Sequence, residues 1–134
     1  MNKFSLILVI SISLILVACG GAESRKAKYL QSAEAHYDDD DCAKAKLEYR
    51  NALQIDPKDS AGRIGLARCL GQEQDWRAVY QLLTAVIDEY PNNVEAKHEL
   101  AKLYMISGAR DKTYQLIEEA LACLLYTSPS PRDS

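Results

Sequence analysis

The 134-residue chain is short of turn-formers and of aromatics. It has six Gly and four Pro, and 7% of it is aromatic: eight Tyr, one Trp and one Phe. So few punctuating residues argue against an all-β chain of many short strands. A strong charge of one sign is missing too. The net charge of −3 is too weak, and of the wrong sign, for a nucleic-acid binder. The two His, at 36 and 98, are far apart and form no metal-binding pair. There is no Gly-rich phosphate loop and no nucleophile elbow. No enzymatic activity, cofactor, metal site or small-molecule substrate is therefore expected. Cys42 and Cys69 are too few for a disulfide framework in a small secreted domain. What the chain does have is 48% hydrophobic and 26% charged residues, enough for one folded domain. The apolar residues crowd at the two ends.

Residues 1–18 read as a secretory signal. Lys3 supplies the positive n-region, and Leu6 to Val17 is apolar apart from Ser11 and Ser13. That run is shorter than the roughly 20 residues a membrane-spanning helix needs. It ends in Leu16-Val17-Ala18-Cys19, followed by Gly20-Gly21, and so resembles the bacterial lipobox. The resemblance implies cleavage before Cys19 and acylation of that cysteine by diacylglyceryl and palmitate-type chains. Each buried methylene contributes about 0.8 kcal/mol, so a multiply acylated Cys19 anchors stably. Gly20 in place of Asp implies outer-membrane sorting in a Gram-negative cell. Residues 19–25 are then expected to be the lipidated cysteine and a short linker.

The other end, Cys123 to Asp133, reads CLLYTSPSPRD. This resembles the in-frame translation of a transposase-type sequencing adapter. Residues 123–134 are expected to be a non-native tail, with the natural sequence running on past Ala122.

Between the ends lies a repeat of 34. Pro57 and Pro91 are 34 apart, as are Ala33, Ala67 and Ala101. Ala52, Val86 and Ala120 keep the step, and so do Leu53, Ile87 and Leu121. Tyr49, Leu83 and Ile117 keep it again, and Ala45, Val79 and Thr113 hold a small or β-branched position. Within each unit, apolar residues recur at i+4, as in Tyr29, Ala33 and Tyr37, which predicts helices. Asp41, Asp59, Asp75 and Asn93 stand where N-caps are needed. Pro57 and Pro91 close the second helices, because a residue before Pro avoids the helical region.

Period and pattern together resemble the tetratricopeptide repeat (TPR), two helices per unit. Ala33, Ala45, Ala52 and Pro57 fall on the family's small and closing positions. Asp40 stands where the turn Gly is usual, and Val79 and Thr113 where Ala is. The closing Pro of repeat three would fall near 125, where the chain has Leu125. The resemblance implies an all-α helix-turn-helix solenoid over 26–122, with repeats at 26–59, 60–93 and 94–122, the third incomplete. Its last helix is expected to expose apolar surface.

Four features invite other readings. Asp38 to Asp41 could bind calcium, but the EF-hand spacing is absent, and a solvated turn capped by Asp41 fits better. Cys42 and Cys69 could bridge in an oxidising envelope, although two small apolar residues is the simpler reading. Trp76 could anchor a partner, but its family position is usually buried. His36 and His98 read as surface or groove residues.

The resemblance implies a protein-binding scaffold or assembly factor of the bacterial cell envelope, lipid-anchored and facing the periplasm. Its partners would be envelope proteins. Such lipoproteins serve outer-membrane protein insertion, pilus assembly and exopolysaccharide export. The opening and the string Asn51 to Pro57 most resemble the exosortase-associated type. The alternatives are the repeat portion of a larger envelope protease or glycosyltransferase and a structural envelope protein. In the TPR fold the first helix of each pair lines the concave face. The register puts Leu30, Glu34, Tyr37 and Asp38 there from repeat one. Repeat two adds Ile64, Arg68 and Gln72, and repeat three adds His98, Lys102 and Met105. The charges suit a helix or extended segment whose acidic groups face Arg68 and Lys102. The set does not match the carboxylate clamp of chaperone-binding TPRs.

Overall fold

The computed structural model of the protein describes the backbone of residues 3–127 and the side chains of residues 20–126. Its described elements are all helices: α1 (Lys3–Asp38), α2 (Cys42–Ile55), α3 (Ser60–Gln72), α4 (Trp76–Glu89), α5 (Val94–Ile106) and α6 (Arg110–Thr127). The chain divides into two compact units, Met1–Pro57 and Lys58–Ser134.

Capping decides where the helices start. Asp41 accepts the backbone N–H of Lys44 at 3.1 Å, and Asp59 that of Gly62 at 2.8 Å. Asp75 accepts from Ala78 at 3.2 Å and Asn93 from Ala96 at 2.8 Å. Each bond satisfies one of the N–H groups a helix start leaves open, typically worth about 1 kcal/mol. The prolines decide two of the ends. Asp56 and Tyr90 leave helical geometry, at φ −134° and −126°, each just before a proline. The acidic run from Asp38 is a turn. Asp41 caps α2, and Lys44 Nζ reaches its Oδ2 at 2.7 Å.

The turn inside each helix pair is built the same way three times. Residues 40, 74 and 108 have φ of 58°, 63° and 77°. The next N–H donates to the carbonyl five residues back: Asp41 to His36 (2.8 Å), Asp75 to Leu70 (3.0 Å) and Ala109 to Tyr104 (2.9 Å). This is a Schellman closure, which favours glycine at the left-handed residue. Only Gly108 complies. Asp40 is the departure visible in the sequence, and Gln74 is a second.

In the first unit α1 and α2 pack as a hairpin. Ala33, Ala45 and Ala52 are fully buried, and their small side chains let the two backbones approach. Tyr49 fills the space beside them, 1% exposed, and its hydroxyl donates to Glu34 Oε1 at 2.8 Å. Lys26 is also buried, with Nζ 3.0 Å from both Glu23 and Asp56 carboxylates.

In the second unit one core joins α3, α4 and α5. It contains Ile64, Ala67, Val79, Leu83, Val86, Ala96, Leu100 and Leu103. Leu82, Ile87, Tyr104 and Leu116 pack against it, the last from α6. The non-Ala residues at the third small position are absorbed. Val79 is buried, and buried Thr113 turns its hydroxyl to the Ala109 carbonyl at 3.2 Å.

Three expectations change. The linker expected at 19–25 is helical and continuous with α1. Gly20 and Gly21 each weaken a helix by about 1 kcal/mol relative to Ala, and no proline stands nearby to end it. Trp76 is not core but 37% exposed. As the first residue of α4 it lies back over Gly71, where an added Cβ would sit 3.9 Å from its ring. The fold does not stop at Ala122 either. α6 runs to Thr127, since Leu124 and Leu125 are good helix formers and the first proline is Pro129. Among the described residues no helix is long and apolar enough to cross a membrane. The side chains of the expected signal segment and of Cys19 lie outside the described residues, as does the tail from Ser128.

Candidate protein-binding surface

The groove residues expected from repeat one all lie in the first unit. Leu30 and Tyr37 are half-buried, and Glu34 and Asp38 are exposed. Glu34 is engaged by the Tyr49 hydroxyl.

Repeat two contributes less than the register implies. Ile64 is 1% exposed and belongs to the core, so it lines no surface. Its side chain lies on the face of α3 that α4 and α5 cover. Gln72, the last residue of α3, is exposed. Arg68 is half-buried and bound within the unit. Its Nη2 meets Glu95 Oε1 at 2.6 Å, and its Nε meets Glu99 Oε1 at 3.2 Å. Lys102 completes the cluster, with Nζ 2.8 Å from Glu99 Oε2. Burial would lift the Glu99 carboxyl. The hydrogen bond and charge of Lys102, then those of Arg68, outweigh it and hold Glu99 below its ordinary 4.5. For Arg68 burial is likewise outweighed, by Glu95 and Glu99, and the guanidinium is held more firmly protonated. Arg68 therefore cross-braces α3 and α5.

Repeat three supplies the surface. His98, Lys102 and Met105 are exposed on α5 and border a trough of about 330 Å³ between α5 and α6. Val94, Lys97 and Ala101 line its α5 side, and Leu116, Ile117, Ala120, Leu121 and Leu124 its α6 side. Met105, Ile117, Leu121 and Leu124 are all substantially exposed. Lys97, although in the wall, is buried and reaches Glu119 Oε2 at 3.2 Å. The trough is thus apolar, with His98 and Lys102 at its edge. Such a surface suits the apolar stripe of an amphipathic helix.

The α6 residues were absent from the groove expected from sequence, which drew on first helices alone. The signal for them is the period itself: Ile117, Ala120 and Leu121 stand 34 residues after Leu83, Val86 and Ile87. Elsewhere, Cys42 is half-buried and Cys69 buried, and both are free thiols. Among the described residues no group of three His, Cys, Asp or Glu could hold a metal ion.

No family model matches the chain, and no curated protein does. A solved structure described as "Functional Characterization of Pseudomonas Aeruginosa pilF" superposes on it with a TM-score of 0.73 at 20% identity. The match covers 79% of this chain and 48% of that one, so this chain spans about half the length of its structural neighbour. With three capped helix pairs at a 34-residue step, that likeness shows the fold: all-α, of the tetratricopeptide-repeat type.

Proposed function

We propose that the chain is a protein-binding scaffold of the bacterial cell envelope. Acyl groups on Cys19 hold it to a membrane, the outer membrane in a Gram-negative cell, with the repeats facing the periplasm. The observation that carries the binding role is the trough of α5 and α6, an apolar surface with charge at its edge and no catalytic apparatus beside it. The lipobox Leu16 to Cys19 supports the anchor. Among envelope pathways, exopolysaccharide export is the one whose lipoproteins the opening and Asn51 to Pro57 resemble.

Two measurements test this. In a Gram-negative host, [3H]palmitate is expected to label the chain and to place it in the outer-membrane fraction, with Cys19→Ala losing both. Labelling that survives Cys19→Ala overturns the anchor. A photo-crosslinking amino acid at Met105 is expected to capture discrete envelope proteins, whereas the same group on exposed Arg50 captures none. Identical patterns from the two positions overturn the binding role.

A further inference from the structure

The trough has a counterpart inside the same molecule, and that counterpart is occupied. Moving back 34 residues from His98, Ala101, Ile117 and Ala120 gives Ile64, Ala67, Leu83 and Val86. Those four sit in one buried core with Ala96, Leu100 and Leu103 of α5. The surface that α3 and α4 offer to α5 is therefore repeated by α5 and α6 one unit later, where it stands open.

The seated helix shows what such a surface takes. The α5 stripe is Ala96, Leu100 and Leu103, at i, i+4 and i+7. The carboxylates beside it, Glu95 and Glu99, stand at i−1 and i+3 and meet Arg68 across the seam. The residue 34 after Arg68 is Lys102, a cation at the same register. Lys102 bonds Glu99 from its own helix, but Arg68 also holds that carboxylate. Lys102 can turn to an incoming carboxylate while Glu99 keeps its charge partner. One position differs in kind: His98 stands where the occupied seat has Ile64. A polar residue in the floor weakens the apolar contribution and suits docking that reverses, rather than a permanent core.

The geometry points to one occupant for this trough: an amphipathic helix of another polypeptide, with small, Leu and Leu residues at i, i+4 and i+7 and carboxylates at i−1 and i+3 directed at Lys102. This rests on the scaffold reading and names the chemistry of its partner.

The probe is a fluorescein-labelled peptide of the α5 sequence, residues 93–106, titrated into the full chain in lipid nanodiscs and read by anisotropy. It is expected to bind one to one. Ile117→Glu is expected to abolish binding. Ile117 is 42% exposed, so the substitution places a charge on the surface and leaves the core intact. Lys102→Glu is expected to weaken binding about tenfold, the scale of a reversed charge pair at a partly buried contact. A peptide carrying Glu95→Lys and Glu99→Lys should restore binding to that variant while binding the unaltered chain poorly. Displacement of the resident α5 would depend on Arg68 and be indifferent to Lys102.

The inference is overturned if the α5 peptide does not bind, if the charge-reversed peptide binds the unaltered chain equally, or if Ile117→Glu changes nothing. It is also overturned if the chain pairs with a second copy through this face, seen as a dimer that Ile117→Glu makes monomeric. Failed titration beside retained crosslinking from Met105 removes this inference alone. A bound peptide beside a chain that crosslinks no envelope protein removes the scaffold reading alone.

Discussion

Replacing Gln74 by glycine should make the protein more stable, although it removes a side chain and adds no contact. Gln74 sits at φ 63°, the left-handed residue between α3 and α4. For an L-residue that region costs roughly 1–2 kcal/mol relative to the right-handed one, because Cβ crowds the carbonyl that follows. Glycine removes this cost but gives the unfolded chain more freedom to lose, about 0.4–1 kcal/mol. The expected net gain for Gln74→Gly is about 0.5–1 kcal/mol, or roughly 2–5 °C in Tm for a chain of this size. Asp40→Gly should gain less, since Asp tolerates the left-handed region better than Gln. Gly108→Ala is the converse. Nothing lies within 4 Å of a Cβ added there, and φ is 77°, so any loss is backbone strain alone, about 1–2 kcal/mol. Urea unfolding followed by circular dichroism at 222 nm measures all three, provided the slope against denaturant stays constant. A Gln74→Gly chain no more stable than its parent, or a neutral Gly108→Ala, would refute the reasoning.

Two further outcomes are expected. Leu83→Ala should destabilise the second unit by about 2–5 kcal/mol in the same assay, because the side chain is fully buried in the core of α3, α4 and α5; a loss under 1 kcal/mol would count against that core. Glu99 has a folded-state pKa below its ordinary 4.5, so its contribution is complete above that pH and is lost as pH falls through the folded value. Glu99→Gln should therefore narrow the stability difference between pH 6 and pH 3, and an unchanged difference would refute the pairing with Lys102 and Arg68.

The helix pairs were legible because each is specified locally. Asp59 and Asn93 announce helix starts, Pro57 and Pro91 close helices, and buried alanines recur at the small positions. The left-handed turn at 74 was harder to see, because glutamine carries no sign of φ; only the step of 34 from Asp40 to Gly108 points to it. The surface was legible in part. His98, Lys102 and Met105 border the trough, but Ile64 does not, since helical register cannot tell which first-helix residues the neighbouring helices cover. Arg68 lost its assigned role for a related reason. Its partners, Glu95 and Glu99, lie one repeat further on, a distance that periodicity within a helix does not reach. The α6 wall was anticipated as exposed apolar surface but not joined to the groove.

The unbroken course of α1 bears on how the first repeat is tethered. On the proposed anchoring, lipid enters the membrane at Cys19, and the helix already runs through residues 19–25 into the first repeat. Seven helical residues rise about 10 Å. The same seven as a flexible linker would wander with an end-to-end distance of about 14 Å in any direction. A helical stem gives the first repeat a fixed stand-off from the bilayer and a limited cone of tilt. A protein caught by it would be presented at a set height above the membrane, not on a slack leash.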